Sequence, residues 1–188
     1  MPKIIAITAL LVLPAAGFVM ASGKLALNPV FTDNMVLQRG MAVEVYGTAA
    51  PGSEVGVEIA GRKAKARAGR DGKWTAVLEH LEAGGPHVLA VMSGKEKITL
   101  KDVLVGDVWF CSGQSNMEWL VKNTDDGAKE LKKFRDNDRV RLFKQAQIPS
   151  PKPLENPAGS WKKCTAENAA DFSAIAYFFG KRMQKETG

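Results

Sequence analysis

Cysteine and histidine are scarce in this chain, with two of each in 188 residues. Two cysteines exclude a disulfide-framework miniprotein and a four-cysteine zinc site. His80 and His87 alone leave little material for a histidine-based metal centre. Charged residues stop at 24% while hydrophobic residues reach 45%, so an intrinsically disordered chain, a collagen-like repeat and a multispan membrane protein are also excluded. What remains is a globular protein with room for one ordinary domain or two small ones.

Charge is not scarce, and it is unbalanced. The formal net charge is +6 and the isoelectric point about 9.3. The densest basic stretch holds Lys129, Lys132, Lys133, Arg135, Arg139, Arg141 and Lys144. Glu130, Asp136 and Asp138 interrupt it, and no Tyr or Trp interleaves it for base stacking. It reads as a solvated helix face followed by a strand, and no nucleic-acid partner is expected.

The amino terminus reads as an address. Lys3 precedes the apolar run Ile4 to Leu13, which Pro14 and Gly17 break, and Val19-Met20-Ala21 offers a cleavage site. The run is too short to span a membrane. Residues 1–21 are expected to be a signal peptide. The remainder is then periplasmic or secreted, with no stable membrane insertion after cleavage. In such a compartment a bridge between Cys111 and Cys164 is one reading, and two separate thiols the other.

From Leu25 to Asp102 the chain reads as short strands. Val55, Val57 and Ile59 share a face, and Ala42–Tyr46, Lys73–Glu79, His87–Met92 and Lys97–Leu104 are further candidates. Pro51-Gly52, Asp71-Gly72, Gly84-Gly85-Pro86 and Ser93-Gly94 punctuate them. This spacing predicts an antiparallel β-sandwich over residues 25–102.

Residues 103–188 follow a different pattern. Val108-Trp109-Phe110-Cys111 is a continuous apolar run, expected to be a strand buried on both faces. Asp125–Asn137 reads as a helix and Val140–Phe143 as a second strand, which together suggest one right-handed βαβ crossover. The proline-rich segment holding Pro149, Pro151, Pro153 and Pro157 reads as a surface loop. Asp171 is expected to cap a last helix over Phe172–Lys185.

The buried run leads into Ser112-Gly113-Gln114-Ser115-Asn116-Met117. Gly113 permits a sharp turn, and Ser115 then stands just beyond a strand, where backbone N–H groups can stabilise an oxyanion. The triplet alone is weakly specific. Met117 replaces the second glycine of a nucleophile elbow, and no phosphate-loop lysine follows.

The string Gly106–Trp119 (GDVWFCSGQSNMEW) resembles the start of the catalytic domain in the sialate O-acetylesterase family, which belongs with the SGNH-type, GDSL-like esterases. Phe31–Gly40, Tyr46–Val55, Asp71–Leu78 and Ile98–Trp109 are similar to that family's amino-terminal β-domain, and Asp171–Met183 to a helix after its first crossover. The resemblance implies a two-part fold: a β-sandwich, then the first part of a flavodoxin-like parallel-sheet domain, left incomplete. It implies Ser115 as nucleophile on an acetyl ester, with the Ser115 amide as one oxyanion donor, and Gln114 and Asn116 as oxyanion or substrate-binding helpers. Met117 and Trp119 either line an acetyl pocket or pack under the turn. An O-acetylated carbohydrate is the implied substrate, with no cofactor and no metal.

A serine nucleophile needs a base, normally histidine oriented by a carboxylate. In this family an Asp-x-x-His pair near the carboxyl terminus supplies it, and no histidine follows Ser115 here. The chain therefore reads as the front part of a longer esterase, with little activity alone. The alternative is a glycan-binding or structural β-module with an esterase remnant, for which Phe31, Tyr46 and Trp74 are the aromatic candidates.

Overall fold

A computed structural model describes residues 23–135, 137–154 and 156–187. The expected signal peptide, residues 1–21, lies outside the described residues. Among those described, no helix is long and apolar enough to cross a membrane.

The first part is built from β1 (Ala26–Leu27), β2 (Val36–Gln38), β3 (Val43–Thr48), β4 (Glu54–Ile59), β5 (Arg62–Arg67), β6 (Lys73–Leu78), β7 (Gly84–Ser93) and β8 (Glu96–Gly106). They form a three-stranded sheet, β1-β3-β6, and a five-stranded sheet, β2-β8-β7-β4-β5. Alternation decides which faces meet. Val45, Trp74, Ala76 and Leu78 from the smaller sheet share a core with Val55, Val57, Ile59, Leu89, Val91 and Val103 from the larger one. The larger sheet is mixed rather than antiparallel throughout, because β2 runs parallel to β8. β2 enters beside β8 from a loop, not from a hairpin, so no local turn dictates its direction.

β5 is absent from the sequence reading. Its inward residues are Ala64 and Ala66, too small to mark an apolar face among Arg62, Lys63, Lys65 and Arg67. Tertiary structure supplies it instead. Ile59 pairs with Arg62 across Ala60-Gly61, both at positive φ, which is the tight hairpin that matches strand twist.

The second part departs further from expectation. Val108–Cys111 is not a strand, and Phe110 is 94% exposed. No strand among the described residues lies beside it, and an apolar run is buried only where neighbours exist to cover it. The Val108 N–H donates instead to Gln38 Oε1 at 2.9 Å. Among the described residues the expected βαβ crossover is likewise absent. β9 (Asn137–Phe143) pairs antiparallel with β10 (Trp161–Cys164), at the far end of the proline-rich loop. The expected helix over 125–137 shortens to α2 (Gly127–Lys132). A Cβ on Gly127 would stand 2.0 Å from the Val121 carbonyl oxygen, so α2 starts at a contact only glycine allows.

Among the described residues this part also holds the α-helices α1 (Ser115–Glu118), α3 (Ala166–Ala170) and α4 (Ala174–Thr187), with a 3-10 turn over Val121–Asn123. Asp171 does not cap α4. It ends α3, and its carboxylate pairs with Lys122. Ser173 Oγ accepts from the Ala176 N–H at the start of α4. Val121, Leu142, Cys164, Ala169, Ala174 and Tyr177 form a second, smaller core. Cys164 belongs to it while Cys111 is exposed, and no disulfide joins the two.

The two parts meet through a charge cluster in which only Arg141 is fully buried. Near the end of β8 an extra residue bulges the pairing with β7 and puts Asp102 at φ +56°, in the left-handed region that Asp tolerates. Its carboxylate takes Arg141 from β9 at 2.9 Å and Lys163 from β10 at 2.6 Å. Trp161 adds an indole bond to the Val30 carbonyl oxygen at 3.0 Å.

The loop between β9 and β10 is exposed from residue 149 to 154 and pairs with no strand. Subtilisin is therefore expected to cut within 149–157 before it cuts anywhere in 25–106, read as fragments by mass spectrometry. Earlier loss of the β-region would contradict this ranking.

Candidate active site

Gly113 makes the local turn possible. A Cβ there would sit 2.6 Å from Met117 Cγ, so its absence lets Met117 fold back over the turn. Met117 N–H donates to the Gln114 carbonyl oxygen at 2.8 Å, closing the turn that opens α1. Ser115 is the first residue of that helix. Its amide is one that a helix start leaves without an internal acceptor. Ser115, Gln114 and Asn116 are all exposed. Among the described residues the Ser115 hydroxyl has no hydrogen-bond partner.

Beside this turn lies an open depression of about 500 Å³, lined by Asn116, Trp119, Thr124, Ala174, Ile175 and Phe178. Trp119 does not pack under the turn. It is exposed, and its indole N–H donates to the Asn123 carbonyl oxygen at 3.1 Å, which holds the ring at the rim. Ile175 and Phe178, both on α4, were legible only as helix residues, and nothing in their spacing marks a site. Gln114 lines no part of the depression, so the structure brings Asn116 but not Gln114 to it.

Glu130 on α2 anchors the helix that forms the wall. Its carboxylate accepts from Lys181 and, at 2.7 Å, from the Tyr177 hydroxyl, both on α4. Lys181 chiefly, with Tyr177, holds the Glu130 carboxyl below its ordinary range despite partial burial. Tyr177 is pushed well above the usual phenol range, by burial first and by Glu130 second, so its hydroxyl stays a donor.

Neither histidine lines the depression beside Ser115. His80 lies in the turn after β6 at φ +49°, beside Glu79, and His87 lies half-buried on β7. The acid on α1 itself, Glu118, accepts from Gln147 of the proline-rich loop. Among the described residues, no three His, Cys, Asp or Glu side chains group as metal ligands. The arrangement presents an exposed hydroxyl and a helix-start amide beside an apolar depression.

No protein-family model matches the chain. It is 32% identical over 170 residues to the human sialate O-acetylesterase, covering 80% of this chain. It is 34% identical over 173 residues to the mouse sialate O-acetylesterase, covering 81% of this chain. The chain spans about a third, 32%, of the length of each of these relatives. The crystal structure of a carbohydrate acetylesterase from Xanthomonas citri superposes with a TM-score of 0.83 at 35% identity, over 87% of this chain and 38% of that one.

Proposed function

The chain is a relative of the sialate O-acetylesterases, matching about a third of their length, and from this premise we propose that it carries the nucleophile of a carbohydrate O-acetylesterase. The observation that supports this reading is the exposed Ser115 on a glycine-enabled turn, beside the apolar depression. In the proposed reaction Ser115 Oγ attacks the acetyl carbonyl and gives up its proton. The sugar oxygen leaves as an alcohol, taking a proton, and an acetyl-serine ester remains. Water then releases acetate and restores the hydroxyl. The Ser115 amide, with Asn116 beside it, faces the developing oxyanion.

The base comes from polypeptide beyond these residues in this reading, because neither His80 nor His87 is placed at the turn. The surface around Ser115 suits such an addition. Trp109, Phe110, Phe178 and Phe179 are all exposed, with Trp109 edge-on to Phe179 at 5.2 Å. Exposed aromatics of this kind gain by burial, which a further polypeptide segment seated on them would supply.

The test is covalent capture. With a segment bearing Asp-x-x-His fused or co-expressed, a fluorophosphonate is expected to label the tryptic peptide 102–122, on Ser115. Esterase activity accompanied by label on a different peptide would overturn the assignment.

A further inference from the structure

A second cleft lies on the other side of the β-region from its core, on the outer face of the three-stranded sheet. It encloses about 540 Å³, within the roughly 300–1,000 Å³ range of ligand-sized clefts. Strand alternation puts Tyr46 and Thr48 of β3 on this face with Thr75 of β6, and Tyr46 pairs in register with Thr75. We propose that this cleft is a glycan-binding groove, separate from Ser115, that takes an oligosaccharide on the Tyr46 ring.

The walls are held in place. A Cβ on Gly47 would stand 2.0 Å from the Ala26 carbonyl oxygen, so glycine there lets β1 press against β3. The Asn28 N–H then donates to the Tyr46 carbonyl oxygen at 3.0 Å, fixing the residue that begins one wall. Asn28 Nδ2 donates to Asn156 Oδ1 at 3.1 Å, which brings the proline-rich loop in as the other wall. Tyr46 is 38% exposed, and Phe31 meets it edge-on at 5.1 Å and 79°. That contact sets the ring plane without covering both faces.

The chemistry of this lining fits a sugar. A pyranose has an apolar C–H face bounded by hydroxyls that both donate and accept. An aromatic ring of fixed orientation meets the first requirement. The threonine hydroxyls and side-chain amides, which also donate and accept, meet the second. Lys73, outward on β6 beside Thr75, adds a cationic side chain to the same lining. The groove runs across faces of β1, β3 and β6 rather than along the β6 edge, which sets it apart from a strand-addition site for peptide.

The experiment is titration of the 188-residue chain with xylotetraose and with cellotetraose, followed by calorimetry and by backbone amide shifts. Saturable binding with shifts at residues 46–48 and 73–75 is expected. Tyr46→Ala should weaken it about tenfold, the size of a lost aromatic contact, while Tyr46→Phe should hold it within about threefold. Thr75→Trp, which fills the cleft from an exposed position, should also abolish binding, and melting curves check that each variant is folded. Three results overturn the proposal: no saturation with either sugar up to about 10 mM, binding undiminished in both folded Tyr46→Ala and Thr75→Trp, or shifts at the β6 edge with an extended peptide and none with sugar. The readout is binding and not hydrolysis, so its failure leaves the reading of Ser115 untouched.

Discussion

The 188-residue chain is expected to hydrolyse p-nitrophenyl acetate at close to the uncatalysed rate, and Ser115→Ala should change that rate little. A serine hydroxyl is a weak nucleophile at its free pKa, and among the described residues it has no hydrogen bond to a histidine or a carboxylate. A positioned general base is worth about 10²–10⁴-fold. Each oxyanion donor is worth about 10²–10³-fold, and Ser115 with its neighbour supplies only part of such a set. Supplying a segment with Asp-x-x-His should therefore raise turnover by at least about 10²-fold. In that context Ser115→Ala should return it to background. Initial rates of p-nitrophenolate release decide the matter. Robust activity in the unsupplemented chain, lost on His80→Ala or His87→Ala, would show that the base lies in the β-region. Activity in the supplemented protein that survives Ser115→Ala would remove the serine from the mechanism.

Loss of Asp102 should be the most damaging single change at the junction of the two parts. Arg141 is 1% exposed on its side chain, and Asp102 is the carboxylate that neutralises it. Removing Asp102 leaves the buried guanidinium only the Asp138 and Val140 carbonyl oxygens, a cost of about 2 kcal/mol for the lost charge-assisted bond. Asp102→Asn is the cleaner variant, since asparagine also tolerates φ +56° and only the charge is lost. Urea titration at pH 7 should show the loss directly.

The pH dependence follows from the same contact. Lys163 first, then Arg141, hold the Asp102 carboxyl below its ordinary value, against the opposing effect of burial. A carboxyl with a depressed folded-state pKa contributes stability that is fully present above its unfolded value of about 3.9. That contribution is lost as pH falls through the lower folded value. The stability gap between wild type and Asp102→Asn should be widest above about pH 5 and close progressively below about pH 4. A gap that stays constant across that range would mean Asp102 acts through geometry alone.

The two parts were unequally legible. In the β-region, Val55, Val57 and Ile59 announced a buried face by alternation, and all three are buried. Ala64 and Ala66 carried the same alternation in β5 but too little apolar area to be seen against their lysine and arginine neighbours. In the second part, Val108–Cys111 had the composition of a buried strand and is exposed. Composition reports that a segment gains by burial, and says nothing about whether a covering neighbour is present. The site divides the same way. Gly113 and Ser115 stood out as a turn and an exposed hydroxyl because both properties are local. Ile175 and Phe178 reach the depression from α4, some sixty positions further along, and no local pattern connects them to Ser115.

Sequence by itself determined what depends on residues close along the chain. It set the inward and outward faces of β3, β4, β6 and β7, the turns at Pro51-Gly52 and Asp71-Gly72, and the glycine-dependent turn that exposes Ser115. These follow from side-chain period and from backbone freedom, which act over a few residues. Only tertiary structure decided the parallel entry of β2, the antiparallel pairing of β9 with β10, and the joining of Asp102 to Arg141 and Lys163. It also decided that Tyr46, Thr75 and Asn156 share one cleft. Each of these depends on which distant segments come to lie side by side. That is settled by the burial and charge pairing of the whole chain, because many pairings satisfy the same local pattern and only one satisfies the shared core.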